Sequence, residues 1–105
     1  MSFSVNELEA ARALDLSVTE DSLAVDLVDG RTIVVPLAWF PRLYHGSAKE
    51  RKRWRFIGQG VGIHWPDLDE DISVGHLLAG RPSGESQVSF KRWLDRRNIK
   101  RKRKP

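Results

Sequence analysis

The feature that most constrains the fold is a pair of apolar runs separated by a tight turn signal. Every second residue from Leu23 to Leu27 is apolar, which is typical of a strand with one buried face. Asp29 and Gly30 follow, and both residue types tolerate the positive φ that a two-residue hairpin needs. Residues 31–35 include a β-branched run and predict the returning strand.

An earlier run has the same period of two. Leu14, Leu16 and Val18 alternate with polar residues, and residues 19–22 are turn formers. We therefore expect the three runs between residues 14 and 35 to form an antiparallel meander.

Further short elements follow the meander. Helical turns are predicted on either side of Pro41, and Ser47 with Glu50 forms a capping-box pattern that begins a helix over 48–53. Residues 54–57 and 61–65 predict a fourth and fifth strand around a glycine-rich turn, and Ser73 is the expected N-cap of a brief helix over 74–79. The fold class is therefore α+β, with a small antiparallel sheet of about five strands and short helices.

A chain of 105 residues has room for one domain. We expect a flexible leader at 1–13, an α+β domain at 14–80, a joint and C-terminal helix at 81–98, and a disordered basic tail at 99–105. In the C-terminal helix, Val88, Trp93 and Leu94 are predicted to share one face. There is no cysteine, no stretch apolar enough to span a membrane and no N-terminal signal pattern, so we expect a cytoplasmic protein.

The net charge of +4 hides an uneven distribution. Residues 91–105 hold nine Lys/Arg and one Asp, a net charge of +8, whereas residues 1–90 carry a net charge of −4. Such an asymmetry often marks an interaction segment. The basic tail could contact nucleic acid, dock on an acidic protein surface, or simply be solvated.

Four carboxylates follow the fifth strand, at Asp67, Asp69, Glu70 and Asp71. They could stabilise the next helix N-terminus, form an acidic surface for a partner, or bind a divalent cation with help from His64. Their spacing does not match a calcium loop, and the favoured explanation is the helix N-terminus. His64 is expected to be a core or rim histidine with a satisfied hydrogen bond. We predict no catalytic residue, no metal site and no cofactor.

Several of these segments together resemble one bacterial family, the domain of unknown function 2442. The resemblance covers residues 14–80 and implies a compact α+β domain with a small antiparallel sheet. Some members of that family look like antitoxin partners encoded beside small toxin-like proteins. The matching residues are Asp29-Gly30-Arg31, Pro36-Leu37-Ala38-Trp39, Pro41-Arg42-Leu43, Arg51, Trp54, Gly62-Ile63-His64-Trp65-Pro66 and Leu68-Asp69-Glu70-Asp71-Ile72.

We therefore expect an antitoxin-like, non-enzymatic protein-interaction module. It would bind a partner protein through an aromatic lid, residues 39–43, and through the acidic segment, residues 65–71. An open sheet edge would also allow a homodimer. The expected partner-contact residues are Trp39, Phe40, Arg42, His64, Trp65, Asp69, Glu70 and Asp71.

The alternative is a nucleic-acid-binding module that uses the basic C-terminal tail and a second basic cluster near Trp54. Lysine and arginine there would neutralise phosphates. The candidate residues are Arg51, Lys52, Arg53, Arg55, Lys91, Arg92, Arg96 and Arg97.

Overall fold

The first half of the chain forms a three-stranded antiparallel sheet in the order β1-β2-β3. The computed structural model describes residues 11–103, with side chains through residue 99. The strands are β1 (Ala13–Val18), β2 (Ser22–Leu27) and β3 (Thr32–Pro36). The predicted meander is confirmed.

One detail of the predicted alternation is wrong at the start of β1. The register with β2 shifts between Ala13 and Asp15, which is the mark of a β-bulge. The bulge turns Leu14 outward, so that its side chain is 63% exposed while Leu16 is buried. The predicted alternation of buried and exposed residues fails at Leu14 because a bulge adds one residue to the strand.

A second antiparallel sheet contains β4 (Arg55–Ile57), β5 (Gly62–Trp65) and β6 (Glu70–Ser73), in that order. The sequence predicted about five strands and none over residues 70–73, so it missed one of the six strands within residues 11–103. Ile72 pairs with Ile63 and is buried, but it is the one apolar residue in β6. A single apolar position among carboxylates and a serine gives no visible alternation.

Within the described residues, four α-helices and two 3-10 turns connect and cover the sheets. The helices are α1 (Pro41–Tyr44), α2 (Ala48–Lys52), α3 (Val74–Leu78) and α4 (Gln87–Arg103), and the 3-10 turns span Leu37–Trp39 and Gly58–Gly60. The predicted capping box of α2 is confirmed, because Ser47 and Glu50 each accept the other's backbone N–H. Ser73 caps α3 as predicted.

Helix α4 is longer than the sequence predicted. It includes residues 99–103, which we expected to be disordered, while residues 104 and 105 lie outside the described part. Lysine and arginine are good helix formers, and cations near a helix C-terminus are favoured by the macrodipole, which offsets their mutual repulsion. Of the predicted leader, residues 1–10 are not described, and Ala11 is already buried. Among residues 11–103, no helix is long and apolar enough to cross a membrane.

A single apolar core joins both sheets. Trp65 is fully buried within it, so that β5 supplies the largest side chain of the interior. The remaining fully buried side chains come from both sheets, from the turn before α1, from α1 and α3, and from the turn before β6. They are Leu23, Val25, Leu37, Leu43, Ile63, Leu68, Val74 and Leu77.

The turn between β4 and β5 rests against β1 and links the two halves of the fold. Gly60 has φ of +95°, and a Cβ added there would lie 2.6 Å from the backbone oxygen of Ala13. Arg12 donates to the Gln59 side chain across the same junction at 3.1 Å. The contact therefore requires glycine both for its backbone angle and for the close approach.

We predict that Gly60→Ala lowers the free energy of unfolding by roughly 3 kcal/mol, because it adds a clash to the strain of a left-handed backbone. Gly30→Ala is the matched control, since Gly30 has φ of +93° but open space around its Cβ position. It should cost only about 1 kcal/mol. Urea unfolding followed by tryptophan fluorescence measures both, and equal losses would contradict the close packing of this turn against β1.

Candidate functional site

A buried indole fastens α4 to the rest of the protein. Trp93 is 4% exposed, and its indole N–H donates to the backbone oxygen of Leu68 at 3.0 Å. The guanidinium carbon of Arg97 lies 4.6 Å from the centre of the indole ring, and that of Arg42 lies at 5.6 Å. Cation–π contacts of this kind contribute about 0.5–1 kcal/mol each at exposed sites and more when water is excluded.

Two arginine–glutamate pairs flank this indole. Arg42 of α1 donates from Nε to Glu85 at 2.9 Å, and Arg97 of α4 donates to Glu50 of α2 at 2.9 Å. All four side chains are at most 21% exposed. Because removing one partner would leave a poorly solvated charge, these pairs hold α4 and the residues before it in one position.

The pKa values of the two glutamates reflect these contacts. The hydrogen bond from Arg97 lowers the pKa of Glu50 to about 2, although partial burial opposes the shift. The hydrogen bond from Arg42 likewise lowers the pKa of Glu85. Both groups therefore stabilise the fold above their ordinary pKa, and that contribution is lost as the pH falls into the acid range.

Glu70 lies near the Arg42–Glu85 pair, but its environment raises its pKa instead of lowering it. Its Oε1 accepts from the backbone N–H of Asp71 at 3.1 Å, whereas its Oε2 is buried and has no hydrogen-bond partner in the described structure. Burial raises the pKa of Glu70 from 4.5 to about 7; Arg42 opposes the rise and Glu85 adds to it. Near neutral pH this carboxyl is therefore partly protonated.

The exposed side of the β5–β6 hairpin carries a histidine–aspartate pair. His64 and Asp71 are directly opposite across the two strands, and Nδ1 of His64 lies 2.5 Å from Oδ1 of Asp71. This is the hydrogen-bonded rim position that the sequence predicts for His64. The Asp71 side chain remains 67% exposed, so that the histidine orients a carboxylate that faces solvent.

Asp69, in the turn before β6, is held in a strained conformation. Its φ is +50°, in the left-handed region, and Nη1 of Arg42 donates to its backbone oxygen at 2.8 Å. Its side chain is 81% exposed. Strain of this kind tends to collect at functional positions, where the surrounding contacts maintain it.

A groove of about 430 Å³ borders the same hairpin. Ile57, Val61 and Ile72 form its apolar part, and Asp71 is one of its polar lining residues. An apolar concavity beside an oriented carboxylate is suited to a side chain with an apolar stem and a charged end. We call the surface formed by His64, Asp69, Asp71 and this groove the acidic edge.

The structure separates the predicted partner-contact residues into three groups. Phe40 and Trp65 are 5% and 0% exposed, so they are core residues and offer no surface to a partner. Trp39, Arg42 and Glu70 are partly buried, with Arg42 occupied by Glu85. Asp69 and Asp71 remain exposed, and the His64 side chain, which is 20% exposed, contacts Asp71. Within the aromatic lid, Phe40 and Leu43 are buried and belong to the core, whereas Trp39 is partly buried.

The explanation that the carboxylates serve the N-terminus of α3 is also wrong. Glu70 and Asp71 lie in β6, and the first turn of α3 contains no acidic residue. In the part of the chain from 11 to 99, no group of three or more His, Asp or Glu side chains is arranged to hold a metal ion.

The residues predicted to bind nucleic acid differ in whether the structure already gives them a contact. Arg51 donates to the backbone oxygens of Leu43 and Tyr44, so it completes the end of α1, and Arg97 pairs with Glu50. Arg53 is exposed but bonds to Asp67 at 2.8 Å. Five of the predicted residues are exposed and form no salt bridge with any residue that the structure describes: Lys52, Arg55, Lys91, Arg92 and Arg96.

The sequence predicted the capping role of Glu50, but not its ion pair with Arg97 or the ion pair of Glu85 with Arg42. The capping signal at Glu50 was visible, but its second partner is 47 residues away. Glu85 is separated from Arg42 by 43 residues and lies in no recognisable motif. Pairs this distant leave no local signal in a single sequence.

The fold is similar to that of two solved bacterial proteins. A protein of unknown function from Rhodospirillum rubrum ATCC 11170 has 28% sequence identity and a TM-score of 0.61, over 76% of this chain and 96% of its own. An uncharacterized protein from Chromobacterium violaceum has 21% identity and a TM-score of 0.60, over 88% of this chain and 95% of its own. No curated protein matches the sequence.

Residues 13–83 match the model of a family described as protein of unknown function (DUF2442). The chain belongs to this family, as the sequence resemblance implies. The match includes both sheets and the acidic edge, and it ends before α4 begins at Gln87.

We predict that Glu70→Gln stabilises the protein at pH 8 and leaves its stability nearly unchanged near pH 5. The folded state keeps a proton that the unfolded state releases above about pH 4.5, so wild-type stability falls as the pH rises towards 7. After solvent screening is considered, the gain at pH 8 should be on the order of 1–2 kcal/mol.

Chemical unfolding at both pH values measures this gain. Glu20→Gln, in the exposed turn between β1 and β2, controls for the loss of one carboxylate. A Glu70→Gln effect that is the same at pH 5 and pH 8 would contradict the raised pKa.

Proposed function

We propose that this chain is a non-enzymatic protein-interaction module that acts in the cytoplasm, and that its partner binds at the acidic edge. The observation that carries the proposal is Asp69, whose exposed carboxylate stands on a left-handed backbone held by Arg42. Aspartate is one of the few residues that tolerate this conformation, and here the turn directs the Asp69 carboxylate into solvent.

The orientation of Asp71 supports the same proposal. A solvent-exposed carboxylate normally samples several rotamers, and fixing it costs side-chain entropy. Nδ1 of His64 lies 2.5 Å from Oδ1 of Asp71 and restricts the carboxylate. Part of this side-chain entropy is therefore lost before a partner binds. Preorganised groups of this kind strengthen binding by lowering the entropy lost on association.

The chemistry of the acidic edge indicates the kind of partner. Two exposed carboxylates would attract lysine or arginine on a basic protein surface, which favours rapid and selective association. The adjoining groove would accept the apolar stem of such a side chain. The family resemblance adds a candidate, a small toxin-like protein encoded beside this one, with the present chain as its antitoxin-like partner.

Co-expression with the neighbouring toxin-like protein tests this function. We expect the neighbour alone to arrest growth, and the wild-type chain to restore growth and to purify with the neighbour as a stoichiometric complex. Asp69→Asn with Asp71→Asn should weaken the complex at least about tenfold, because two charge-assisted contacts are lost. Asparagine tolerates the left-handed backbone at position 69, so the fold should be retained.

Glu20→Gln with Asp21→Asn is the matched control, since it also removes two exposed negative charges but lies in the turn between β1 and β2. It should bind as well as the wild type. Normal growth with the neighbour alone would contradict the antitoxin role, and equal weakening by both double variants would contradict binding at the acidic edge.

A further inference from the structure

The outer face of α4 carries exposed cations on a helix whose other face is already occupied. Trp93 is buried, and Phe90 and Leu94 pack partly against the core. Lys91, Arg92 and Arg96 lie on the exposed side, and none of them forms a salt bridge with a residue that the structure describes. The helix thus presents charge outward and apolar surface inward.

The fold also joins two basic clusters that are far apart in the sequence. Arg97 hydrogen-bonds to Glu50, and this contact sets α2 beside α4. Helix α2 carries Lys49 and Lys52, which are both exposed. The sequence-based alternative assigned both clusters to one nucleic-acid-binding module, and the Glu50–Arg97 pair supplies a direct contact between the two helices that carry them.

This surface is rigid and long enough to follow a charged polymer. A helix of 17 residues is about 25 Å long, and a nucleic-acid duplex presents roughly fifteen phosphate charges over the same distance. Because Trp93 and the two arginine–glutamate pairs attach α4 to the domain, the helix backbone needs no ordering when a polyanion binds, and only the cationic side chains lose rotamer freedom.

We propose that the outer faces of α4 and α2 form a binding surface for the phosphate backbone of a nucleic acid, independent of base sequence. We call it the basic face. It is distinct from the acidic edge, whose exposed carboxylates would repel the same phosphates. The two surfaces would let one domain bind a protein partner and a nucleic acid together.

Other partners fit the basic face less well. A helix that lies in a membrane interface needs an apolar face directed outward, and the apolar face of α4 is directed into the protein. A protein interface usually has a core of aromatic and apolar residues and is depleted in lysine. On α4 the exposed apolar side chains are Val88 and Ile99, about 16 Å apart along the helix axis.

Fluorescence anisotropy with the full chain tests the proposal. The probes are a labelled 20-base-pair DNA duplex, an RNA duplex of the same sequence and a poly-aspartate peptide of matched charge. We expect binding to at least one nucleic acid that weakens steeply with salt and does not depend on base sequence. Replacing Lys91, Arg92 and Arg96 by glutamine should reduce the slope of log affinity against log salt by about 2–3.

Two further variants locate the surface. Lys49→Gln with Lys52→Gln should also reduce the slope, by about 2, if α2 belongs to the basic face. Glutamine replacements of Arg12, Arg31 and Arg81 remove the same charge as the α4 triple variant from other parts of the surface and should leave the slope unchanged. Circular dichroism checks that each variant keeps its helix content, which glutamine favours.

The outcomes are decisive in either direction. A slope lowered by the α4 and α2 variants alone supports the basic face, and the stronger of the two nucleic-acid probes identifies its ligand. Equal effects of the α4 triple variant and the Arg12, Arg31 and Arg81 variant would overturn the proposal, because the attraction would then depend on net charge alone. Poly-aspartate binding as tight as that of either nucleic acid would overturn it in favour of an acidic protein partner.

Discussion

The arrangement of both proposed surfaces depends on the burial of Trp93. Its ring and N–H attach α4 to the turn that leads into β6, where its acceptor Leu68 precedes Asp69. Arg42 contacts the same ring, pairs with Glu85 before α4, and holds the backbone of Asp69. The position of the basic helix and the strained turn of the acidic edge are therefore coupled through one indole and one guanidinium.

Burial and contacts between distant residues determine the pKa values of three glutamates. Glu50 and Glu85 are partly buried beside arginines, and their pKa values fall, whereas the pKa of Glu70 rises because burial outweighs the attraction of Arg42. The two paired glutamates raise the free energy of unfolding, whereas ionised Glu70 lowers it above neutral pH.

Much of the fold was predictable because its signals are local. Alternation, the Asp29-Gly30 turn and the Ser47 cap depend on residues a few positions apart, and the structure confirms them. The sixth strand had no alternation, and Trp65 could not be assigned to the core because an aromatic residue suits an interface equally well. The candidate site was less predictable still. Its two ion pairs, Arg42–Glu85 and Glu50–Arg97, each join residues that are more than 40 positions apart in the sequence. Of the acidic edge, His64, Asp69 and Asp71 were expected, but not the backbone strain at Asp69.

The contacts of Trp93 make α4 a fixed part of the domain and not a basic tail in solution. Amide hydrogen exchange across residues 87–99, measured on the full chain and on Trp93→Ala, tests it most directly. The claim predicts strong protection of the turns around Trp93 in the wild type and a loss of protection of roughly 100-fold or more in the variant, since removing a buried tryptophan costs about 3–5 kcal/mol. Exchange of α4 at the rate of an unstructured peptide in the wild type would contradict the claim, as would protection that survives the loss of the indole.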